Sequence, residues 1–300
     1  AASCAWTILG KRRHGAGMRK WFRKFFSSGS FIPFVLLLPY VVTILFNGAD
    51  KALVWGRWDA EKMVPLLLMV QLKGDYEPEL VKAQAVIARS DLYRKAEKNE
   101  KVSLDGRKGA WGIERIINLA GNMELYQRAA EDTAGQVLTY EGELRLLPYH
   151  EVSCGITRDG EEVFQSPEYG YLKSVDSSQD KESPDYINST YVEASRLPAQ
   201  LVIQKRDSAG YVTALTADGY WMEGEAFRRG MHLASGNFSV QKIGKAVRFL
   251  CKGKGHGIGL SQYGGNEMAK NGSSWEEILL TYFPEMKIEE IGEVEISLEK

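Results

Sequence analysis

Glu79, His150, Cys154 and His256 are the side chains of this 300-residue sequence best suited by type to do chemistry. Glu79 follows Pro78, so it falls in the first turn of any helix that starts there. An acidic residue at that place most often does no more than offset the helix dipole. It serves as a general acid only where apolar cover favours its protonated form. The apolar run at 63–70 and the glycine-rich run around His256 are available as that cover. His256 lies in "CKGKGHGIGLSQYGG", residues 251–265. That run lacks the G-x-G-x-x-G of a dinucleotide loop. It also lacks a phosphate loop's Gly-Lys followed by Ser or Thr, because Gly255 follows Lys254. His150 and Cys154 are four apart, and Cys251 and His256 are five apart. All four are zinc-binding types, but structural zinc sites use tighter cysteine pairs, so metal, core and surface roles stay open. Cys154 and Cys251 equally fit a disulfide or two free thiols. Tyr76, Trp111, Tyr149, Tyr169, Tyr171 and Tyr263 are of a type that stacks on sugar rings, although a chain with 11% aromatics exposes some in any case.

These residues need elements to position them. "PELVKAQAVIARSDLYRKAEK", residues 78–98, has Pro at the first helical position and Val81, Ala85, Ala88 and Leu92 near helical spacing, which predicts a helix. Residues 120–135 also read as helix. "GQVLTYEGELRLLPYHEVSCGIT" reads as short strands with a turn at Glu141 and Gly142. "AQLVIQKRDSAGYVTALTADG" reads as a hairpin about 207–210, and "NFSVQKIGKAVRFLCKGKG" as two more strands. A helix from about 261 to 270 is predicted to end at Gly272. The next opens with Ser274 and Glu277 at capping-box spacing and stops at Pro284. Helices first, strands later and helices again predict an α+β fold. The expectation is a helical catalytic core with antiparallel strands and an inserted or second β-rich subdomain, after an N-terminal transmembrane helix.

That helix is read from charge. Seven Lys and Arg stand between residues 11 and 24, and no charge occurs from Ser27 to Gly48. About 20 apolar residues span a bilayer, and the basic flank places the amino end in the cytoplasm and the rest outside. "FNGADKA" is a poor cleavage site, which favours an anchor that is kept. Met18, before "RKWFRKFF", is a more natural start than "AASC". The boundaries expected are a basic cytoplasmic segment at 1–26, the anchor at 27–48, a linker at 49–62, a folded domain at 63–290 and a tail at 291–300. From residue 51 onward, 31 Lys and Arg meet 38 Asp and Glu, a net of −7. No basic face marks a nucleic-acid partner.

"PELVKAQAVIARS" is similar to a signature of the stage II sporulation protein D family. "GHGIGLSQYGGNEMAKNGSSWEEILLTYFPEMKI" resembles the same family's carboxy-terminal signature and the helix after it. "AAEDTAGQVLTYEGELRLLPYHEVSCGITRDGEEVF", "YLKSVDS" and "EGEAFRRGMHLASGNFSV" lie between them in family order, so the resemblance covers residues 63–290. It implies a membrane-anchored, extracytoplasmic lytic transglycosylase that cleaves peptidoglycan glycan strands, preferring strands stripped of stem peptides, during engulfment in sporulation. One acid suffices for that reaction, because the sugar's own 6-hydroxyl is the nucleophile.

The resemblance implies Glu79 as that acid and places Gln84 and Arg89 among the signature positions of the substrate site. It implies His256, Ser261, Gln262 and Tyr263, with Tyr149, as polar and stacking contacts to sugars. On this reading the glycines around His256 let backbone approach a polysaccharide. No cofactor is required; a structural zinc at His150 and Cys154 is the metal reading, since some relatives bear zinc near that segment. The partners implied are glycan strands, the membrane and other sporulation or cell-wall amidase proteins, for the wider family includes non-catalytic enhancers of an amidase. Three departures stand out. Gln71-Leu72 replaces a common Glu-Met, Arg89-Ser90-Asp91 replaces a common Arg-Thr-Tyr, and Leu260 replaces Met.

Overall fold

A computed structural model describes residues 58–98, 100, 113–292 and 295–296, and the stretch read as an anchor, 27–48, lies outside them. Strand β1 (Trp58–Asp59) leads into helix α1 (Ala60–Gln71), whose first turn Asp59 caps by accepting the Glu61 N–H at 2.9 Å. Helices α2 (Pro78–Glu97) and α3 (Ile113–Asp132) follow, then β2 (Gln136–Tyr140), β3 (Glu143–Leu144), β4 (Tyr149–His150) and the short α4 (Gly160–Phe164). A β-rich stretch comes next: β5 (Ile187–Glu193), β6 (Leu201–Arg206), β7 (Val212–Ala217), β8 (Tyr220–Glu223), α5 (Gly224–Gly230), β9 (Phe238–Ile243) and β10 (Ala246–Lys252). The chain returns through β11 (Leu260–Ser261), α6 (Gln262–Lys270), α7 (Trp275–Tyr282), β12 (Lys287–Glu290) and β13 (Glu295–Ile296).

Helix α2 is the axis of the helical part, and its composition explains why. Its small Ala83, Ala85 and Ala88 let neighbours approach, while Leu80, Val81, Val86, Ile87 and Leu92 bury apolar groups on opposite faces. One face joins Met63, Val64 and Leu68 of α1, Tyr126 and Ala129 of α3, and Val137 of β2. The other joins Leu138, Leu260, and Ile278, Leu279 and Tyr282 of α7. Sheet β12-β2-β3 is antiparallel and flanks these helices, whereas β11 and β4 pair in parallel. The stretch from β5 to β10 has a core of its own. Sheets β5-β10-β9 and β6-β7-β8 share Val212, Leu215, Phe227, Leu233, Phe238, Phe249 and Cys251.

Mixed helices and antiparallel sheets fit the α+β expectation. The turn at Glu141 and Gly142, both at positive φ, and the Ser274 and Glu277 capping box form as read. Regular structure extends past both edges of the 63–290 span: β1 pairs with β13, α1 starts at Ala60, and the Ile291 N–H bonds the Gly135 carbonyl at 2.9 Å. Among the described residues no helix is long and apolar enough to cross a membrane.

Candidate functional site

The head of α2 gathers segments far apart in sequence. The Glu77 N–H donates to Asn266 Oδ1 on α6 at 2.8 Å. Glu79 Oε2 accepts the Trp275 N–H, at the first residue of α7, at 2.9 Å. Glu79 Oε1 lies 3.0 Å from Lys82 Nζ, which also lies 3.1 Å from Asp132 Oδ2. The hydrogen bond to Glu79 holds the Lys82 ammonium above the ordinary lysine range. Side-chain exposure of 32% keeps the Glu79 carboxyl in reach of water and of a ligand. Both of its partners are donors, which is the arrangement of a carboxylate.

A second meeting point lies one and a half turns along α2. Gln84 Nε2 donates to Gln71 Oε1 at 2.8 Å, and Gln262 Nε2 donates to the Gln71 carbonyl at 3.2 Å and to Gln84 Oε1 at 3.3 Å. Gln84 and Gln262 are fully covered, whereas Gln71 is half-buried. Further along, Arg89 is 0% exposed. Its Nε and Nη2 fork onto Glu61 at 2.6 and 2.8 Å, and its remaining donors reach Thr133 Oγ1 and the Gln136 and Ala130 carbonyls. This corrects the sugar contact inferred for Arg89: every donor is spent on tying α1, α3 and β2 to α2.

The histidine loop has its own surroundings. His256 Nδ1 accepts the Ile258 N–H at 3.1 Å, and the His150 ring lies 5.7 Å away, its Nδ1 donating to the Ile258 carbonyl at 3.1 Å. Burial pushes His150 down to about 4 and His256 to about 3, so both rings are neutral at pH 7. Arg158 donates to the His256 carbonyl, pairs with Asp207 and lies 4.6 Å over the Tyr211 ring. Glu79 shares no hydrogen-bond partner with this group among the described residues. The glycines answer to the protein itself. Gly257 and Gly259 sit at φ +79 and +69, and a Cβ there would lie 2.3 Å from Tyr211 Oη and 2.0 Å from the Pro148 carbonyl. Close packing against these protein groups is by itself reason for glycine at the two positions.

Of the residues singled out from sequence, Glu79, Tyr149, His256 and Tyr263 retain accessible surface, as do Cys154, Tyr76 and Tyr169, and Trp111 lies outside the described residues. Ser261 does not. Its hydroxyl donates to Asp180 Oδ1 at 2.9 Å and accepts the Gly264 N–H, capping α6. Asp180 was invisible to pattern: it also accepts the Ser153 N–H and the Ser177 hydroxyl, and burial pushes its carboxyl up. Asp132 was likewise missed, since only folding brings the end of α3 to Lys82. Cys154 and Cys251 are free thiols. The Cys154 thiol, pushed up by burial, faces the Ala209 carbonyl at 3.3 Å. Among the described residues no three His, Cys, Asp or Glu side chains come together as a metal site.

Residues 50–140 match the family model for SpoIID, the stage II sporulation protein. Stage II sporulation protein D of Bacillus amyloliquefaciens is 29% identical over 259 residues, which are 77% of this chain and 74% of that one. Its namesake in Bacillus subtilis (strain 168) is 27% identical over 263 residues, with the same shares covered. An uncharacterized protein of Brachyspira hyodysenteriae is 23% identical over 251 residues, 78% of this chain and 67% of that one.

Proposed function

We propose, from the premise that this chain belongs to the stage II sporulation protein D family, that it is a membrane-anchored lytic transglycosylase acting outside the cytoplasm on peptidoglycan glycan strands during sporulation. The single observation that supports a site at the head of α2 is the convergence there of two signatures nearly 200 residues apart, through Glu77 with Asn266 and Glu79 with Trp275. The reaction needs a proton on the oxygen leaving the N-acetylmuramic acid carbon, then removal of one from that sugar's 6-hydroxyl, giving a 1,6-anhydro end. Glu79 is the group assigned to both transfers. Lys82 has a second carboxylate partner in Asp132, so it keeps a counter-charge when a glycan displaces it and Glu79 takes up a proton. The test is incubation of the full chain with denuded glycan strands and mass spectrometry of the products. Wild type should release 1,6-anhydro ends and Glu79→Gln should not; equal yields would sink the assignment.

One observation favours a second reading, a non-catalytic glycan-binding helper of a wall amidase. The signature residues Gln84 and Gln262 converge on Gln71, an amide at the position where relatives often carry Glu. Glu79, meanwhile, is bonded as a carboxylate. A helper would release no anhydro ends yet would raise amidase turnover on the same strands.

A further inference from the structure

The stretch 187–252 differs in charge from the rest of the sequence after residue 50. It holds nine Lys and Arg against five Asp and Glu, while the other residues from 51 onward hold 22 against 33. A net of +4 thus rides on a body of net −11. An anionic partner is steered to the first and repelled by the second.

The outer face of sheet β5-β10-β9 has the means to read such a partner. Phe249, Cys251 and Phe238 point into the core, so alternation turns Arg248, Leu250, Gln241, Ser239, Ser189 and Tyr191 outward. Register puts Tyr191, Arg248 and Gln241 in one row across the three strands, and Ser189, Leu250 and Ser239 in the next. Tyr191 is 60% exposed, with the Arg248 guanidinium 6.0 Å over its ring. Arg248 Nε and Nη2 both donate to the single hydroxyl of Ser189, at 3.0 and 2.9 Å. Two parallel donors converging on one oxygen form the fork that a carboxylate fills with two oxygens. An aromatic ring, an amide, two hydroxyls and this fork are the groups that hold an acidic sugar.

We propose that this face is a binding site for glycan strands bearing free lactyl carboxylates, with Arg248 reading the carboxylate and Tyr191 stacking on the ring beside it. The chemistry of the occupant rests on the reading that glycan strands are the substrate, but the site lies apart from Glu79 and serves a lytic enzyme and an amidase helper alike. A peptide-bearing strand has that carboxylate tied up in an amide, so the fork favours stripped strands.

The test measures binding of the full chain in detergent to stripped strands, to peptide-bearing strands and to vesicles of phosphatidylglycerol. Wild type should prefer stripped strands. Arg248→Gln and Tyr191→Ala, both at outward positions, should each weaken that binding about tenfold and leave thermal unfolding unchanged. Arg248→Lys, which keeps the charge but not the fork, should fall between. Arg248→Lys binding as wild type, or loss of vesicle binding with stripped-strand binding intact, would overturn the proposal. Glu79→Gln separates the two readings: it should abolish any anhydro product, while the loss of binding caused by Arg248→Gln should be the same in the Glu79→Gln background as in wild type. Absence of product from wild type with binding still dependent on Arg248 would sink the lytic reading alone.

Discussion

Replacing Arg89 with Met removes a buried cation and leaves its shape roughly filled. The wild-type guanidinium bonds Glu61 through two donors, at 2.6 and 2.8 Å, and two carbonyls and a hydroxyl through the others. Stranding one member of a buried ion pair costs about 3–5 kcal/mol. Glu61 keeps 22% exposure and regains some water, which favours the lower end, about 3 kcal/mol. With a urea slope of about 2–3 kcal/mol per molar, the unfolding midpoint should fall by about 1 M or somewhat more. The Tyr93 hydroxyl, which also donates to Glu61 at 2.9 Å, takes over only part of the neutralisation. Arg89→Lys should lose less, since it keeps the charge but not the fork. The assay is equilibrium urea unfolding, paired with glycan binding measured well below the midpoint. Unfolding at the wild-type midpoint together with lost glycan binding would refute the scaffold role and restore a substrate contact.

Three further outcomes are expected. Gly264→Ala should lower stability by about 3 kcal/mol, because its Cβ would lie 2.2 Å from Tyr282 Oη and 2.5 Å from Ser177 Oγ; a thermal midpoint equal to wild type would show that α6 gives way freely. Gln71→Glu puts a carboxyl at a half-buried place beside the Gln84 amide, where burial favours the acid and the amide donor opposes it; if the chain is a helper as it stands and burial wins, this change should raise anhydro product at least about tenfold, and no gain would discard position 71. His150, held down to about 4 by burial, stays neutral in the folded chain while the unfolded chain binds a proton below its ordinary 6.5. Its share of stability is complete above pH 6.5 and falls by about 2 kcal/mol by pH 5; His150→Gln should flatten that slope in urea titrations, and an unaltered slope would count against it.

Local rules set out the elements. Pro78 and the spacing of Val81, Ala85, Ala88 and Leu92 mark α2, and Ser274 with Glu277 marks α7, because caps and periodicity act over one or two turns. The strand alternation around 207–210 and the Glu141-Gly142 turn are legible for the same reason. Roles at a distance are not. Arg89 and Glu61 are 28 residues apart, Gln84 and Gln262 are 178 apart, and Glu79 and Trp275 are 196 apart. No pattern within one element states that Arg89 will spend its donors on the scaffold or that Asp132 will reach Lys82. The glycines around His256 are visible as a run, but what crowds them, Pro148 and Tyr211, comes from the residues just ahead of β4 and β7. Sequence alone thus determined where helices and strands form and which family the chain resembles. Only tertiary structure decided which polar groups are sealed inside and which still face a ligand, because burial is a property of what packs around a side chain.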